Sequence, residues 1–142
     1  MVLNNKIHFR LLDEEYQTKK SIFNNQADMM KKAEVLEVGN KVEYVKKGDI
    51  IELYVATMFM TTQNEGFCSE RDVVFTNKLP PPGKVHIKNP VKKPMDSLMN
   101  AEVVNSNVED VQPGDQIFYR HGQSHILPDN SEILSETQIY HK

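Results

Sequence analysis

One phrase occurs twice in this 142-residue chain. The segment "VEYVKKGDIIELY" at 42–54 and the segment "VEDVQPGDQIFYR" at 108–120 share Val-Glu, a second valine, Gly-Asp and an isoleucine in the same places. At this offset of 66 residues, nine identical pairs align without a gap; their members in the first copy are Val42, Glu43, Val45, Gly48, Asp49, Ile51, Asn64, Ser69 and Glu70. They lie on the apolar alternation and the turn, where a β structure tolerates least change. We therefore predict that the chain contains two copies of one folding unit.

The match resumes upstream of the repeated phrase. "KIHFR" at 6–10 corresponds to "KVHIK" at 84–88, and "AEVLEV" at 33–38 corresponds to "AEVVNS" at 101–106. These two blocks have different offsets, 78 and 68 residues, so the segment between them is ten residues longer in the first copy. Insertions of this kind are typical of exposed loops. We predict a long loop over 12–32 in the first copy and a shortened loop in the second.

The join between the copies is visible in "TNKLPPPGK", at 76–84. Its three consecutive prolines cannot donate to a sheet ladder and favour extended polyproline geometry. We interpret it as a short, stiff linker. The predicted organisation is a first unit over 1–77, a linker over 78–83 and a second unit over 84–142.

The hydrophobic pattern of each copy is that of short strands. In "KIHFRLL", Ile7, Phe9 and Leu11 alternate with His8 and Arg10, which is typical of a strand with one buried face. Short strands with regular turn signals favour a small barrel or a sandwich over a helical fold. The predicted fold class is therefore all-β.

One segment, "NNQADMMKKAEVLEV" at 24–38, also fits a helix that opens at Asn25. We favour a strand for its second half. The equivalent segment at Ala101 has no comparable run before it, and strand pairing overrides local propensity.

Composition excludes several classes of function. With 39% apolar residues, 26% charged residues and a net charge of −3, the chain is typical of a soluble globular protein and lacks the basic surface of a general nucleic-acid binder. No apolar run approaches the roughly 20 residues that span a bilayer, and the N-terminus does not resemble a signal peptide. The single cysteine, Cys68, agrees with a reducing compartment. We predict a cytoplasmic protein with no membrane or nucleic-acid partner.

The order of the blocks resembles the GroES-type co-chaperonin family. The first copy supplies a first strand "KIHFRLL", a loop that contains Ile22 and Phe23, the strand "AEVLEVGN", the turn and strand "VKKGDIIEL" and the closing "SERDVVF". The second copy follows with "KVHIKNP", "AEVVNS", "VQPGDQIFY" and "SETQIYH". The resemblance implies two tandem small GroES-like β-barrel units. It also implies a ring of copies.

For function, the resemblance implies a protein that caps a chaperonin through an apolar mobile loop and assists the folding of a client. The partner-binding residues of that loop would be Ser21, Ile22 and Phe23, and a second, shorter loop would use Met95, Leu98 and Met99. The chain lacks room for the roof hairpin of bacterial co-chaperonins, as do co-chaperonins of some phages, so the client would be a phage capsid protein. The alternative for Ile22 and Phe23 is that they pack back onto their own barrel or form a short strand.

A second hypothesis is a structural protein of a virion, such as a capsid decoration or ring component. It would use the same barrels for oligomer contacts with other capsid proteins. The consecutive residues Met58, Phe59 and Met60 cannot all be buried by one strand face, so they form a candidate subunit interface, with a wide β-bulge as the alternative.

No residue pattern indicates an enzyme. His121 and His125 lie in a loop without a completing cysteine or carboxylate, so we expect no metal site. Cys68 corresponds to Leu134 in the repeat, which favours a small buried hydrophobic residue over a nucleophile. Gly-rich phosphate-binding motifs are absent from the sequence. We expect neither catalytic residues nor a cofactor.

Overall fold

The computed structural model describes residues 1–12, 29–92, 98–120, 122 and 124–142, except for the side chain of Lys92. The chain divides into two compact units, Met1–Lys78 and Leu79–Lys142. Each contains one antiparallel sheet of six strands, so the all-β prediction is confirmed.

The first unit consists of six strands and two single-turn 3-10 helices. The strands are β1 (Lys6–Leu11), β2 (Met30–Val38), β3 (Ile50–Tyr54), β4 (Phe59–Met60), β5 (Glu65–Ser69) and β6 (Val73–Thr76). The 3-10 turns are Val55–Thr57 and Glu70–Asp72. In the sheet the strands lie in the order β4-β5-β1-β2-β3-β6.

The second unit repeats this plan. Its strands are β7 (Lys84–Lys92), β8 (Leu98–Ser106), β9 (Gln116–Arg120), β10 (His125–Ile126), β11 (Glu132–Ser135) and β12 (Ile139–His141), with a 3-10 turn at Glu136–Gln138. The sheet order is β10-β11-β7-β8-β9-β12, which is the order of the first sheet with each strand replaced by its counterpart.

Strand register is also repeated. In β1 and β2 the pairing shifts between His8 and Phe9, whose partners are Glu37 and Val35. In β7 and β8 the same shift occurs between His86 and Ile87, whose partners are Asn105 and Val103. Each second strand therefore carries one extra residue at the equivalent position, a bulge that bends the strand and increases its twist.

The repeated Gly-Asp pair forms the same turn in both units. Gly48 and Gly114 have φ values of 91° and 90°, a region that glycine adopts without steric cost. Each glycine N–H donates to the carbonyl of a valine on the preceding strand, Val35 or Val103, at 2.8 Å. The aspartate carboxylates accept from the backbone N–H three residues earlier, at 2.8 Å in the first unit and 2.9 Å in the second. This turn connects the bulged strand to the next strand.

Each unit has its own apolar core, which explains why the alternation recurs. The first contains Ile7, Phe9, Ala33, Val35, Val45, Ile51, Leu53, Cys68 and Val73. The second contains Val85, Ile87, Ala101, Val103, Val111, Ile117, Tyr119 and Leu134. Every inward position of β1 and β7 named here is fully buried.

The closing 3-10 turns have the same caps but different glutamates. Ser69 and Ser135 form reciprocal capping boxes with Asp72 and Gln138. Glu70 is buried, and its carboxylate accepts hydrogen bonds of 2.9–3.1 Å from the backbone N–H groups of residues 43, 44 and 45. Its counterpart Glu136 is exposed. A buried carboxylate that binds the backbone of the segment before the Gly-Asp turn is therefore a feature of the first unit and not of the second.

Two differences from the predicted loops follow from strand lengths. β2 begins at Met30, so residues 30–32 of the predicted loop belong to a strand, and the strand preferred over a helix is confirmed for Met30–Val38. In the second unit β7 and β8 both extend towards the connection. The β1–β2 connection has 18 residues (12–29), and the β7–β8 connection has five (93–97).

Candidate interaction site

The most exposed apolar strand in the first unit is β4. Phe59 is 72% exposed and Met60 is 37% exposed, whereas Met58 packs against the core of the unit. Two of the three residues of the candidate interface are therefore available to a partner. Since β4 is the last strand of its sheet in the described part of the chain, its outer side has no neighbouring strand there.

Gly66 allows β4 to approach β5 closely. A Cβ atom at this position would lie 2.6 Å from the carbonyl oxygen of Phe59 and 2.9 Å from the sulfur of Met60, closer than real contacts allow. Met60 lies directly opposite Gly66 in the register. The glycine in "EGF" is therefore required by the position of β4, a signal that can be understood only once the pairing is known.

Three ring side chains form a row across neighbouring strands. Phe59 on β4 lies opposite Phe67 on β5, which lies opposite His8 on β1. The rings of His8 and Phe67 stack, with centroids 4.8 Å apart and planes inclined by 16°. The His8 Nε2 atom is 3.0 Å from a carboxylate oxygen of Glu65, which orients the imidazole. Directly opposed residues share one face of the sheet, so the three rings make a continuous outer surface.

A depression of about 430 Å³ lies beside this row. It is lined by Lys6, Thr57, Phe59, Phe67, Cys68, Ser69 and Asp72. The Lys6 ammonium donates to the Ser69 hydroxyl at 2.8 Å, and the Asp72 carboxylate accepts the Ser69 backbone N–H at 3.1 Å. The depression therefore combines two phenyl rings with one cation and one anion.

The thiol of Cys68 at this depression is not prepared for nucleophilic chemistry. Burial, and to a smaller extent the charge of Asp72, raise its pKa to about 12, against a smaller lowering by Lys6. A thiol with such a pKa carries almost no thiolate near neutral pH. Cys68 packs in the apolar core of the first unit, so a structural role explains why a small apolar side chain occupies this position.

The equivalent surface of the second unit has different chemistry. Lys84 and Ser135 replace Lys6 and Ser69 at the same register positions, but His125 and Ile133 stand where the first unit has its two phenylalanines. Gln138 takes the capping position of Asp72. The aromatic and charged character of the depression therefore belongs to the first unit.

The structure describes two of the six residues that were predicted to bind a partner through the two loops. Ser21, Ile22, Phe23 and Met95 lie outside the described residues. Leu98 and Met99 do not lie in a loop, contrary to the prediction: they begin β8, opposite Arg120 and Tyr119. Both are half-buried, and Met99 packs against the second core. β8 incorporates them through pairing with β9, and its counterpart β2 likewise begins at the equivalent residue, Met30.

A serine–histidine pair in the second unit was not predicted from the sequence. His86 Nε2 lies 2.8 Å from the Ser131 hydroxyl, whose oxygen is 2.5 Å from Asp129. The serine has one proton, and the short contact to the carboxylate directs that proton to Asp129 rather than to the imidazole. Burial lowers the pKa of His86, although the charge of Asp129 opposes this. The geometry is that of a hydrogen-bond network that closes the loop before β11, not of an activated nucleophile.

Within the described ranges, no group of three or more histidine, cysteine, aspartate or glutamate side chains could hold a metal ion. His121 lies outside them, and His125 is exposed on β10.

A search of the described helices finds none that is long and apolar enough to cross a membrane.

No protein-family model matches the chain. A search of curated proteins finds no match either.

Proposed function

We propose that the chain is a co-chaperonin-like protein that caps a chaperonin and assists folding, and that each unit is a GroES-like β-barrel. The observation that carries the proposal is the position of the resembling blocks. In both units they fall on four equivalent elements: the first strand, the second strand, the Gly-Asp turn and the capped turn before the last strand. A single Gly-Asp turn could match the family by chance. Four blocks in the order of the family, found on the same elements in both units, are much less expected by chance.

The proposed contact lies in the 18-residue connection between β1 and β2, which contains Ser21, Ile22 and Phe23. This function needs no bond chemistry. An apolar segment folds against a hydrophobic groove at the chaperonin rim, and a ring of copies multiplies each weak contact through effective concentration. The corresponding connection in the second unit has only five residues, which is too short for such a loop, so we assign chaperonin binding to the first unit.

The proposed client is a phage capsid protein, folded in the cytoplasm of the host. Ten residues separate Val38 from Asp49, too few for the roof hairpin of bacterial co-chaperonins. Phage co-chaperonins that the chain resembles also lack this hairpin and enclose a large capsid subunit. This part of the proposal rests on the resemblance alone.

The experiment is a pull-down on an immobilised chaperonin with ATP present. We expect the wild-type chain to bind and the double variant Ile22→Ser/Phe23→Ser to bind at least about tenfold more weakly, the loss typical of a hot-spot pair. Ile126→Ser is the matched control, since it removes an exposed aliphatic side chain from the second unit. No binding by the wild type, or equal binding by the double variant, contradicts the proposal.

The exposed strand β4 favours a second candidate, a structural component of a virion that forms rings through apolar edges. In that case Phe59 and Met60 would be buried between copies or against capsid proteins. Sedimentation of the full chain distinguishes the two candidates when it is combined with the pull-down. Phe59-dependent rings without chaperonin binding would favour the structural component.

A further inference from the structure

We propose that the depression beside β4 binds an extended peptide segment of a partner protein. One large apolar side chain of the segment would pack against Phe59 and Phe67, and one of its backbone amide groups would lie between Lys6 and Asp72. None of its residues belongs to the β1–β2 connection through which the chaperonin is proposed to bind. It would give the first unit a second partner-binding surface.

The shape of the depression follows from the short length of β4. This strand covers β5 only at Phe67 and Gly66, because the chain enters β4 directly from the 3-10 turn Val55–Thr57. Cys68 and Ser69, the last residues of β5, therefore have no β4 residue opposite them. The depression lies at this uncovered end of β5. An extended segment fits such a position because it continues the sheet where β4 stops.

The polar groups match a peptide group better than a free anion. The Lys6 ammonium has three donors and uses one on the Ser69 hydroxyl, so it can donate to a carbonyl oxygen. The Asp72 carboxylate accepts one backbone N–H and has further acceptor sites, so it can accept from an amide N–H. A phosphate or nucleic-acid strand would be repelled by Asp72. A peptide group carries both the donor and the acceptor.

The apolar groups supply the anchor. Phe59 is 72% exposed, and it stands next to Phe67, which is itself held by the stacked imidazole of His8. Phe67, held by this stacking, loses little conformational freedom on binding, and Phe59 beside it offers exposed apolar area; both are usual properties of an interface hot spot. A leucine or aromatic side chain on the partner segment would cover both phenyl rings.

The second unit provides an internal control. At the equivalent positions it keeps a lysine, Lys84, but has His125 in place of the exposed ring and Gln138 in place of the carboxylate. It therefore lacks the exposed phenyl anchor and the negatively charged acceptor, although the Gln138 amide oxygen accepts the Ser135 N–H. We expect the second unit not to bind the same peptides.

The test is a selection from a library of randomised short peptides with the full chain immobilised, without any chaperonin. We expect enrichment of peptides with β-branched residues around one leucine or aromatic residue. The strongest peptide is then synthesised with a fluorophore, and its Kd for the wild type is measured by fluorescence anisotropy. Because no chaperonin is present, the outcome is independent of the proposed capping function.

Three variants decide whether the peptide binds at this site. Phe59→Ser should raise the Kd by about tenfold or more, and Lys6→Met should raise it by at least about threefold, through loss of the anchor and of one donor. Ile126→Ser should change the Kd less than about twofold, because it alters the equivalent strand β10. Circular dichroism confirms that each variant is folded; both altered positions in the first unit are exposed.

The overturning results are equally defined. Failure to enrich any peptide, or a peptide that binds Phe59→Ser as tightly as the wild type, contradicts the proposal. Self-association that Phe59→Ser abolishes, without peptide enrichment, would assign the surface to a second copy of the chain. A peptide whose affinity falls only in Ile126→Ser would place the site on the second unit.

Discussion

Glu70 and Glu136 occupy equivalent positions, yet only Glu70 is buried and accepts backbone hydrogen bonds from residues 43–45. Removing a buried acceptor leaves its donors unsatisfied, at a cost of about 1–3 kcal/mol. We expect Glu70→Ala to lower the free energy of unfolding of the first unit by about 2 kcal/mol. Glu136→Ala should change that of the second by less than about 0.5 kcal/mol. Urea denaturation measures both, and equal losses would contradict this account.

Cys68 gives a second prediction at this scale. Because burial raises its pKa to about 12, its thiolate fraction at pH 8 is far below that of an exposed cysteine. We expect a disulfide reagent to modify the native protein roughly a hundredfold more slowly than the protein in urea, as followed by the absorbance of the released thiolate. Equal rates would show that the thiol is accessible and activated.

The sequence predicted the environment of Cys68 and not that of Glu70. The repeat partner of Cys68 is Leu134, and two residues that share an inward strand position must both suit an apolar core. Glu70 and Glu136 are identical in the two copies, so identity alone predicts the same environment. The two glutamates differ in burial because the Glu70 side chain reaches the backbone of residues 43–45 whereas the Glu136 side chain is exposed. The local sequence pattern does not specify this direction.

At the scale of elements, the Gly-Asp turns should be energetically equivalent. Gly48 and Gly114 have nearly the same φ, and a Cβ atom at either position would meet nothing within 4 Å. The cost of Gly48→Ala or Gly114→Ala is therefore backbone strain alone, about 1–2 kcal/mol in each unit. Thermal or urea unfolding of the two variants checks this. Costs that differ by more than about 1 kcal/mol would contradict equivalent turns.

The network of His86, Ser131 and Asp129 predicts a pH dependence. Burial lowers the pKa of His86 below its ordinary value of 6.5, so the unfolded chain takes up a proton at a higher pH than the folded chain does. The free energy of unfolding should therefore fall as the pH is lowered below about 6.5, until the folded pKa is passed. We expect His86→Asn to flatten this part of the profile relative to the wild type, as measured by urea unfolding across pH. If the free energy of unfolding of His86→Asn falls with pH as steeply as that of the wild type, His86 is not the group responsible.

Strands and turns could be predicted because their signals are local. Alternation in β1 and the Gly-Asp spacing specify which face is buried and where the chain reverses. The depression beside β4 could not be predicted, because it depends on β4 leaving Cys68 and Ser69 of β5 without a partner strand residue. The same is true of Leu98 and Met99, whose place in β8 depends on pairing with β9.

At the scale of the molecule, two copies of one sheet have diverged in the parts that the fold leaves unconstrained. Cores, bulges, turns and caps are shared. The units differ in the burial of Glu70 and Glu136, in the first connection of each unit and in the chemistry beside β4 and β10. A duplicated scaffold with one specialised copy fits a protein that contacts its partners mainly through its first unit.

Amide hydrogen exchange of the full chain, alone and mixed with a chaperonin and ATP, tests this account most directly. We expect exchange to slow in residues 15–30, with Ile22 and Phe23 at the centre, and to stay unchanged in the five-residue connection at 93–97. No change anywhere, or a change confined to the second unit, would contradict the proposed function.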